Sequence, residues 1–315
     1  VLRGLRRNHS GGAVDRMGLR VWFAETRPPF LLLSIILVFL GTSIAVYEGF
    51  FNPLHFILAL IGLLLLHISV NVLNDYFDFK MGIDLETRRT PFSGGSGILP
   101  AGLLKPSSVY RFGVVCLLLG LSIGGYFIAV MGWLLLPLIL VGGLAVYFYT
   151  TRFARWMLGE VFAGLGLGAL PVLGAYFVQS GGYSLLAAVA SIPPLILTHN
   201  LLFLNEFPDV EADRRGGRRN LVIALGREKA SKLYSTLTIS TYGWITAWTM
   251  VGLMPLPTLL SLATIPMAIK AIKGALKDHS SQAIVPALAA NVMIILGIQA
   301  LMAAGFLIAF FLTPL

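Results

Sequence analysis

The sequence holds a single cysteine, Cys116, among 315 residues. An intramolecular disulfide is thereby excluded, and the surrounding VVCLLLG makes this residue a small packing group, not a reactive thiol. Charge is also scarce. Asp, Glu, Lys and Arg make up 12% of the chain against 57% hydrophobic residues, and a mean hydropathy of +0.84 is too apolar for a soluble domain of this length. The apolar runs lack period-two alternation and are too long for barrel strands, which excludes a transmembrane β-barrel. No apolar core with a small-residue cleavage site precedes the first run, so a secretory signal is not expected. What is present in quantity is Gly (34), Pro (16) and Phe (20), the composition of helices in lipid. The net charge of +9 is assigned to basic loops against an anionic leaflet, and nucleic acid is not an expected partner.

A membrane-spanning helix needs about 20 apolar residues. The polar breaks divide the chain into nine such runs: Phe30 to Val46, Leu54 to Asn74, Val109 to Val130, Trp133 to Tyr149, Val161 to Val178, Leu185 to Asn205, Leu233 to Leu253, Leu256 to Lys270 and Ile284 to Leu312. The expected fold is an all-α, polytopic integral membrane protein of nine transmembrane helices. It divides into a basic membrane-surface segment, 1–29, and a transmembrane domain, 30–315. All 23 Lys and Arg fall in five clusters: before the first run and after the second, fourth, sixth and eighth. The positive-inside preference then places the N-terminus and the working face in the cytoplasm, in a multi-pass protein of the cell membrane.

The 14 acidic residues are not scattered. Asp75, Asp78, Asp84 and Glu86 follow the second run, and Glu206, Asp209, Glu211 and Asp213 follow the sixth. On a helix, Asn71, Asp75 and Asp78 share one face at i, i+4 and i+7, with Asn74 beside them. Asn205, Asp209 and Asp213 repeat the pattern at i, i+4 and i+8, although Pro208 can break that second helix. Carboxylates crowded on one face repel unless a cation lies between them. Oxygen donors without a His or Cys cluster favour Mg²⁺, which bridges carboxylates to substrate phosphates. Asp75, Asp78, Asp84, Asp209 and Asp213, balanced against two Mg²⁺ and a diphosphate, leave a deficit of about four positive charges, for which the arginines on the same side are available. Glu86, Glu206, Glu211 and Glu228 read as helix caps or solvated partners of neighbouring arginines.

The segments N71-x-x-N-D75-x-x-D78 and N205-x-x-x-D209-x-x-x-D213-R-x-x-G217, with R27-P-P and Y149-T-T-R152 followed by G159-E160, resemble the UbiA superfamily of intramembrane prenyltransferases. The resemblance covers most of the chain. Many members carry a third aspartate at the position of Gly82; here it stands two residues on, as Asp84. That G-I-D variant, E211-A-D213-R, and R89-T-P-F-S-G-G-S-G97 are similar to the branch that prenylates dihydroxynaphthoate. The resemblance implies a polyprenyl diphosphate donor, a lipophilic or aromatic acceptor, Mg²⁺, and transfer through an allylic cation with release of pyrophosphate. It implies one metal on Asn71, Asn74, Asp75 and Asp78 and another on Asn205, Asp209 and Asp213, with Asp75 and Asp209 essential to catalysis. Arg27, Asp84, Arg88, Arg89 and Arg152 are the implied substrate contacts. Tyr147 and Tyr149, at the cytoplasmic end of the fourth run, could shelter a cation on their ring faces or belong to an interfacial aromatic belt.

The stretch 87–106 contains GGSG without the Walker spacing and reads as a lid. His67 and His199 lie one to two turns inside the membrane and read as polar bundle residues. A cation-coupled transporter is the main alternative, but its sites lie near the midplane, and no charged residue interrupts the middle of any run. A scaffold without chemistry leaves the repeated Asn/Asp geometry unexplained.

Overall fold

The computed structural model describes residues 11–86, 94–277 and 283–312. Among these the secondary structure is helical, and the longer helices are α1 (Gly11–Glu25), α2 (Pro28–Tyr47), α3 (Pro53–Lys80), α4 (Pro106–Met131), α5 (Trp133–Phe148), α6 (Gly159–Ser180), α7 (Leu185–Asn205), α8 (Arg227–Met250), α9 (Leu256–Lys277) and α10 (Val285–Leu312). Proline opens several of them, where its missing N–H costs nothing and its fixed φ suits the first turn. In α3 the Asn52 side chain also accepts from the N–H groups of Leu54 (3.0 Å) and His55 (3.2 Å), satisfying two of the donors that a helix start leaves open.

Seven of these helices, α2, α3, α4, α6, α7, α9 and α10, are long and apolar enough to cross a membrane. The fourth expected span is a helix of 13 residues preceded by one 3-10 turn. The seventh, α8, has the length at 24 residues but falls short in hydropathy because of its many hydroxyls. Those hydroxyls are satisfied within the helix: Ser235, Thr238 and Thr249 each donate to the carbonyl four residues back, at 2.7 to 2.9 Å, a bonding mode open to Ser and Thr. The eighth span is longer than expected, since its 3-10 start continues as a regular helix to Lys277.

The bundle is held by α2 packed between α6 and α10, α3 against α4, and α10 against α9. Leu37, Leu40 and Ile44 of α2 are fully buried in this core. A polar network ties α7, α8 and α10: Asn200 Nδ2 donates to the Tyr234 carbonyl (3.2 Å), the Tyr234 hydroxyl to Asn291 Oδ1 (2.9 Å), and Asn291 Nδ2 to the Asn200 carbonyl (3.2 Å). Such bonds fix the register of helices that apolar contacts alone let slide in lipid.

Helix α6 is not regular. A π-helical turn at Leu165–Ala169 with Leu167 at φ −120° interrupts it, and the Leu167 carbonyl accepts a hydrogen bond from the Thr198 hydroxyl of α7 (2.8 Å). Such π turns commonly lie beside functional sites. The close α6–α7 approach depends on glycine. A Cβ on Gly164 would lie 2.6 Å from the Leu195 carbonyl oxygen and 3.2 Å from His199 Cβ. Gly164→Val should therefore cost about 1–3 kcal/mol, read as a lower thermal unfolding midpoint in detergent. Gly125→Ala, where a Cβ meets nothing within 4 Å, should not lower the midpoint, since Ala favours the helix over Gly.

Candidate active site

The ends of α3 and α7 converge on one cavity of about 320 Å³. Its polar end is lined by Arg27, Asn71, Asn74, Asp78, Asp84 and Asp213, together with Asn205 and Asp209, and its apolar end by Leu63, Leu66, Val292 and Leu296. The two Asn/Asp motifs therefore meet across one space. The first lies on continuous helix, as its spacing requires. The second does not: α7 ends at Asn205, a turn carries Glu206 to Asp209, and Asp213 sits on a separate short helix, Val210–Arg215. Pro208 accounts for the break, since its nitrogen has no hydrogen to donate and its ring disfavours helix in the residue before it.

Asp75 is 1% exposed. Its Oδ2 accepts from the Ser96 N–H (2.8 Å), while Oδ1 lies 3.6 Å from Arg27 and has no hydrogen-bond partner. The Ser96 hydroxyl donates to Glu25 Oε2 (2.8 Å), so the GGSG stretch closes over Asp75 and fastens it to the end of α1. Gly94, Gly95 and Gly97 all take positive φ there (90°, 69° and 82°). Gly95 has a second requirement, because a Cβ on it would come within 3.0 and 3.1 Å of the Asp84 oxygens and 3.3 Å of Asp75 Oδ1. Burial first, then the negative charges of Asp78 and Asp75, push the Asp84 carboxyl up to about 8.

Asp78 accepts from Asn74 Nδ2 (3.0 Å), which also donates to the Thr150 hydroxyl. Asn71 donates to the Thr26 carbonyl (3.2 Å). Arg27 sits in the left-handed region (φ 56°, ψ 59°), an uncommon conformation for a side chain other than glycine. Pro28 disfavours the right-handed helical alternative. The guanidinium lies 4.7 Å over the Phe30 ring, at the cavity wall.

Tyr149 faces the cavity. Tyr147 does not line it: its hydroxyl meets that of Tyr110 (3.2 Å) in a cluster with Phe77. Arg152 is exposed and lies over Trp156, away from the two motifs. Arg88 and Arg89 lie outside the described residues. His67 is buried at the cavity wall beside the Ser34 hydroxyl (2.7 Å).

Sequence reasoning missed three groups. Arg218 donates through one nitrogen to both oxygens of Asp78 and through the other to Asp213 Oδ1 (3.2 Å). Asn220 completes Asp213 through Oδ2 (2.9 Å). Glu206 is the C-cap residue of α7 through its backbone N–H, but its side chain is not solvated. It is buried against Glu160, and desolvation, then the Glu160 charge, raise its carboxyl well above the usual range. Glu160 in turn accepts from the Leu221 N–H (2.6 Å). Glu25, fully buried, is the third. The G159-E160 pair was visible in the sequence, whereas Arg218 was one of seven basic residues in a short stretch, with nothing to single it out.

Among the described residues no three His, Cys, Asp or Glu side chains converge closely enough to hold a metal ion by themselves. The donor set nevertheless suits a hard divalent cation, because it consists of oxygens and includes two buried ones, Asp75 Oδ1 and Asn205 Oδ1, with no hydrogen-bond partner. Buried polar atoms of that kind call for a partner, an ion or a water.

A family model described as the UbiA prenyltransferase family matches residues 32–295. The chain belongs to this family. Among its relatives, the 1,4-dihydroxy-2-naphthoate octaprenyltransferase of Bacillus subtilis is 28% identical over 300 residues, covering 94% of this chain and 95% of the relative. That of Escherichia coli is 26% identical, covering 89% and 95%. The UbiA prenyltransferase domain-containing protein 1 of Mus musculus is 30% identical, covering 81% and 77%. The fold matches a UbiA homolog from Archaeoglobus fulgidus bound to DMAPP and Mg²⁺ (TM-score 0.62, 16% identity, 93% and 99% covered). It also matches a digeranylgeranylglyceryl phosphate synthase (TM-score 0.66, 17% identity, 92% and 99% covered). This UbiA-family chain is thus a prenyltransferase and an integral membrane protein.

Glu25 gives the site a pH signature. Burial and the charge of Asp75 push its carboxyl up to about 7, above the unfolded value near 4.3. A raised carboxyl stabilises the fold most below the unfolded value and loses that contribution as pH rises through the folded one. Thermal stability in detergent with EDTA should accordingly fall as pH rises from about 4 to above 7. Glu25→Gln should flatten the part of this fall that runs from about 4 to about 7, and an unchanged profile in that variant would remove Glu25 as its source.

Proposed function

We propose that the chain transfers a polyprenyl group from a prenyl diphosphate to an aromatic acceptor, of the naphthoquinone-precursor kind, with Mg²⁺. The observation that carries this reading is a single cavity with two sets of oxygen donors at one end and an apolar wall at the other, shaped for a molecule with an anionic head and a hydrocarbon tail. The naphthoate octaprenyltransferases among the relatives and the DMAPP- and Mg²⁺-bound neighbour support donor, metal and acceptor class.

Asn71, Asp75 and Asp78 would hold one Mg²⁺ and Asn205, Asp209 and Asp213 the other, with Asn74 orienting Asp78. When bound, the metal neutralises the diphosphate and makes it a better leaving group. The chain's own part is to orient and to shield. Arg27 adds a positive charge at the head. As the C1–O bond breaks, its electron pair leaves with pyrophosphate, and Tyr149 presents a ring at the cavity wall to the allylic cation. The electron-rich acceptor carbon then forms the new C–C bond and gives up the group it carried, as a proton or, from a carboxylated carbon, as carbon dioxide, which restores the aromatic ring. The apolar walls exclude water that would otherwise capture the cation.

The tail has room to continue. A second cavity of about 100 Å³ lies further along α3, α4, α5 and α6, and it shares Leu63, Leu66, Gly142 and Gly166 with the first. The reading also keeps nine spans, with α5 and α8 crossing beside the seven apolar helices, the N-terminus in the cytoplasm, and the head site on that face, where the basic clusters lie.

The test is purified protein in detergent with labelled geranylgeranyl diphosphate, with and without Mg²⁺ and 1,4-dihydroxy-2-naphthoate. Prenylated naphthoate formed only when both are present supports the reading. Pyrophosphate release without that product rejects the acceptor, and silence on both counts rejects the donor as well. Asp75→Ala and Asp209→Ala should each lower turnover by on the order of 10²–10³ while the protein stays monodisperse. Gly142→Leu should shift preference toward shorter donors by about tenfold, because a Cβ there meets nothing within 4 Å and the longer side chain fills the neck between the cavities.

A further inference from the structure

The two acidic motifs do not face each other across empty space. Arg218 lies between them, its side chain 18% exposed, against 7% for Asp78 and 2% for Asp213. One guanidinium nitrogen reaches both oxygens of Asp78, and the other reaches Asp213. Each carboxylate accepts one further hydrogen bond, Asp78 from Asn74 and Asp213 from Asn220. By contrast Asp75 Oδ1 and Asn205 Oδ1 have no hydrogen-bond partner. Each motif therefore has one oxygen open to a cation and one carboxylate already engaged by the same arginine.

We propose that Arg218 competes with the divalent cations for Asp78 and Asp213, and that the anionic head of the donor draws it off, so that metal and diphosphate enter together. This rests on reading the two motifs as metal sites. The physical basis is that a fork of N–H donors matches a carboxylate and a phosphate equally well. A cation approaching Asp78 or Asp213 must displace a charge-assisted hydrogen bond in a water-poor setting. An arriving diphosphate offers the guanidinium an equivalent partner, and the exchange leaves neither charge unpaired. Arg218 is thus a gatekeeper of metal loading as well as a diphosphate contact. A lysine does both less well, since a single ammonium does not span the two carboxylates in the same planar geometry.

Two binding measurements on Arg218→Gln separate this from simpler roles. Mn²⁺ serves as the probe, followed by electron paramagnetic resonance on the detergent-solubilised protein without diphosphate. Inorganic pyrophosphate is then titrated at saturating Mn²⁺. Mn²⁺ should bind the variant about tenfold more tightly than wild type, and pyrophosphate about tenfold more weakly. Arg218→Lys should fall between the two on both scales. Equal Mn²⁺ affinity in variant and wild type overturns the competition and leaves only a phosphate contact. Weaker binding of both ligands makes Arg218 a structural brace and also overturns it. If wild type and variant both fail to bind Mn²⁺ with pyrophosphate present, the metal reading of the motifs falls and this inference with it.

Discussion

The structure depends on one electrostatic constraint, the gathering of carboxylates at one end of an apolar bundle. Asp75, Asp78, Asp84 and Asp213 are all buried, and in such surroundings each negative charge must find a cation, a hydrogen-bond donor or a proton. All three solutions are used. Arg218 and Arg27 supply positive charge, the Ser96 N–H and the amides of Asn74 and Asn220 supply donors, and Asp84 and Glu25 keep their protons to unusually high pH. The presence of all three together is what a site looks like when its charge is matched to something that comes and goes.

Much of the fold was legible because lipid leaves little choice. Runs of about 20 apolar residues can only be helices there, so seven of the expected spans reappear as helices long and apolar enough to cross a membrane. Hydropathy fails where a helix is polar but self-satisfied. Helix α8 spends its serines and threonines on its own carbonyls, which no window average registers. It also says nothing of the π turn in α6, where Pro171 has no N–H to offer the Leu167 carbonyl four residues back and Thr198 on a neighbouring helix takes it instead.

The site was legible to a different degree at its two motifs. The stripe from Asn71 to Asp78 lies wholly within α3, which stays regular to Lys80, and its one-face geometry followed from spacing alone. The stripe from Asn205 to Asp213 straddles a helix end, a proline and a second short helix, so its residues meet the cavity through tertiary folding. The partners of Arg218, Glu160 and Glu25 were invisible for a related reason. Each pairs with residues dozens of positions away or more, at Asp78, at Leu221 and at Ser96, and no local pattern encodes such a partner. Arg152 and Tyr147 show the converse, a sensible position in the sequence whose side chain is engaged elsewhere, by Trp156 and by Tyr110.

The glycines connect these two levels. Helices that approach as closely as α6 and α7 do at Gly164 and Gly168 bring backbone against backbone, which is how membrane helices gain packing without a hydrophobic driving force. The same economy of side chain at Gly142 and Gly166 leaves space where α3, α5 and α6 face one another. Tight glycine contacts on one side of α6 and glycine-lined space on the other therefore serve a single arrangement. The helix is pinned to α7, which carries Asn205, while its opposite face stays hollow enough to admit hydrocarbon. The polar end and the apolar end of the cavity can then share one wall.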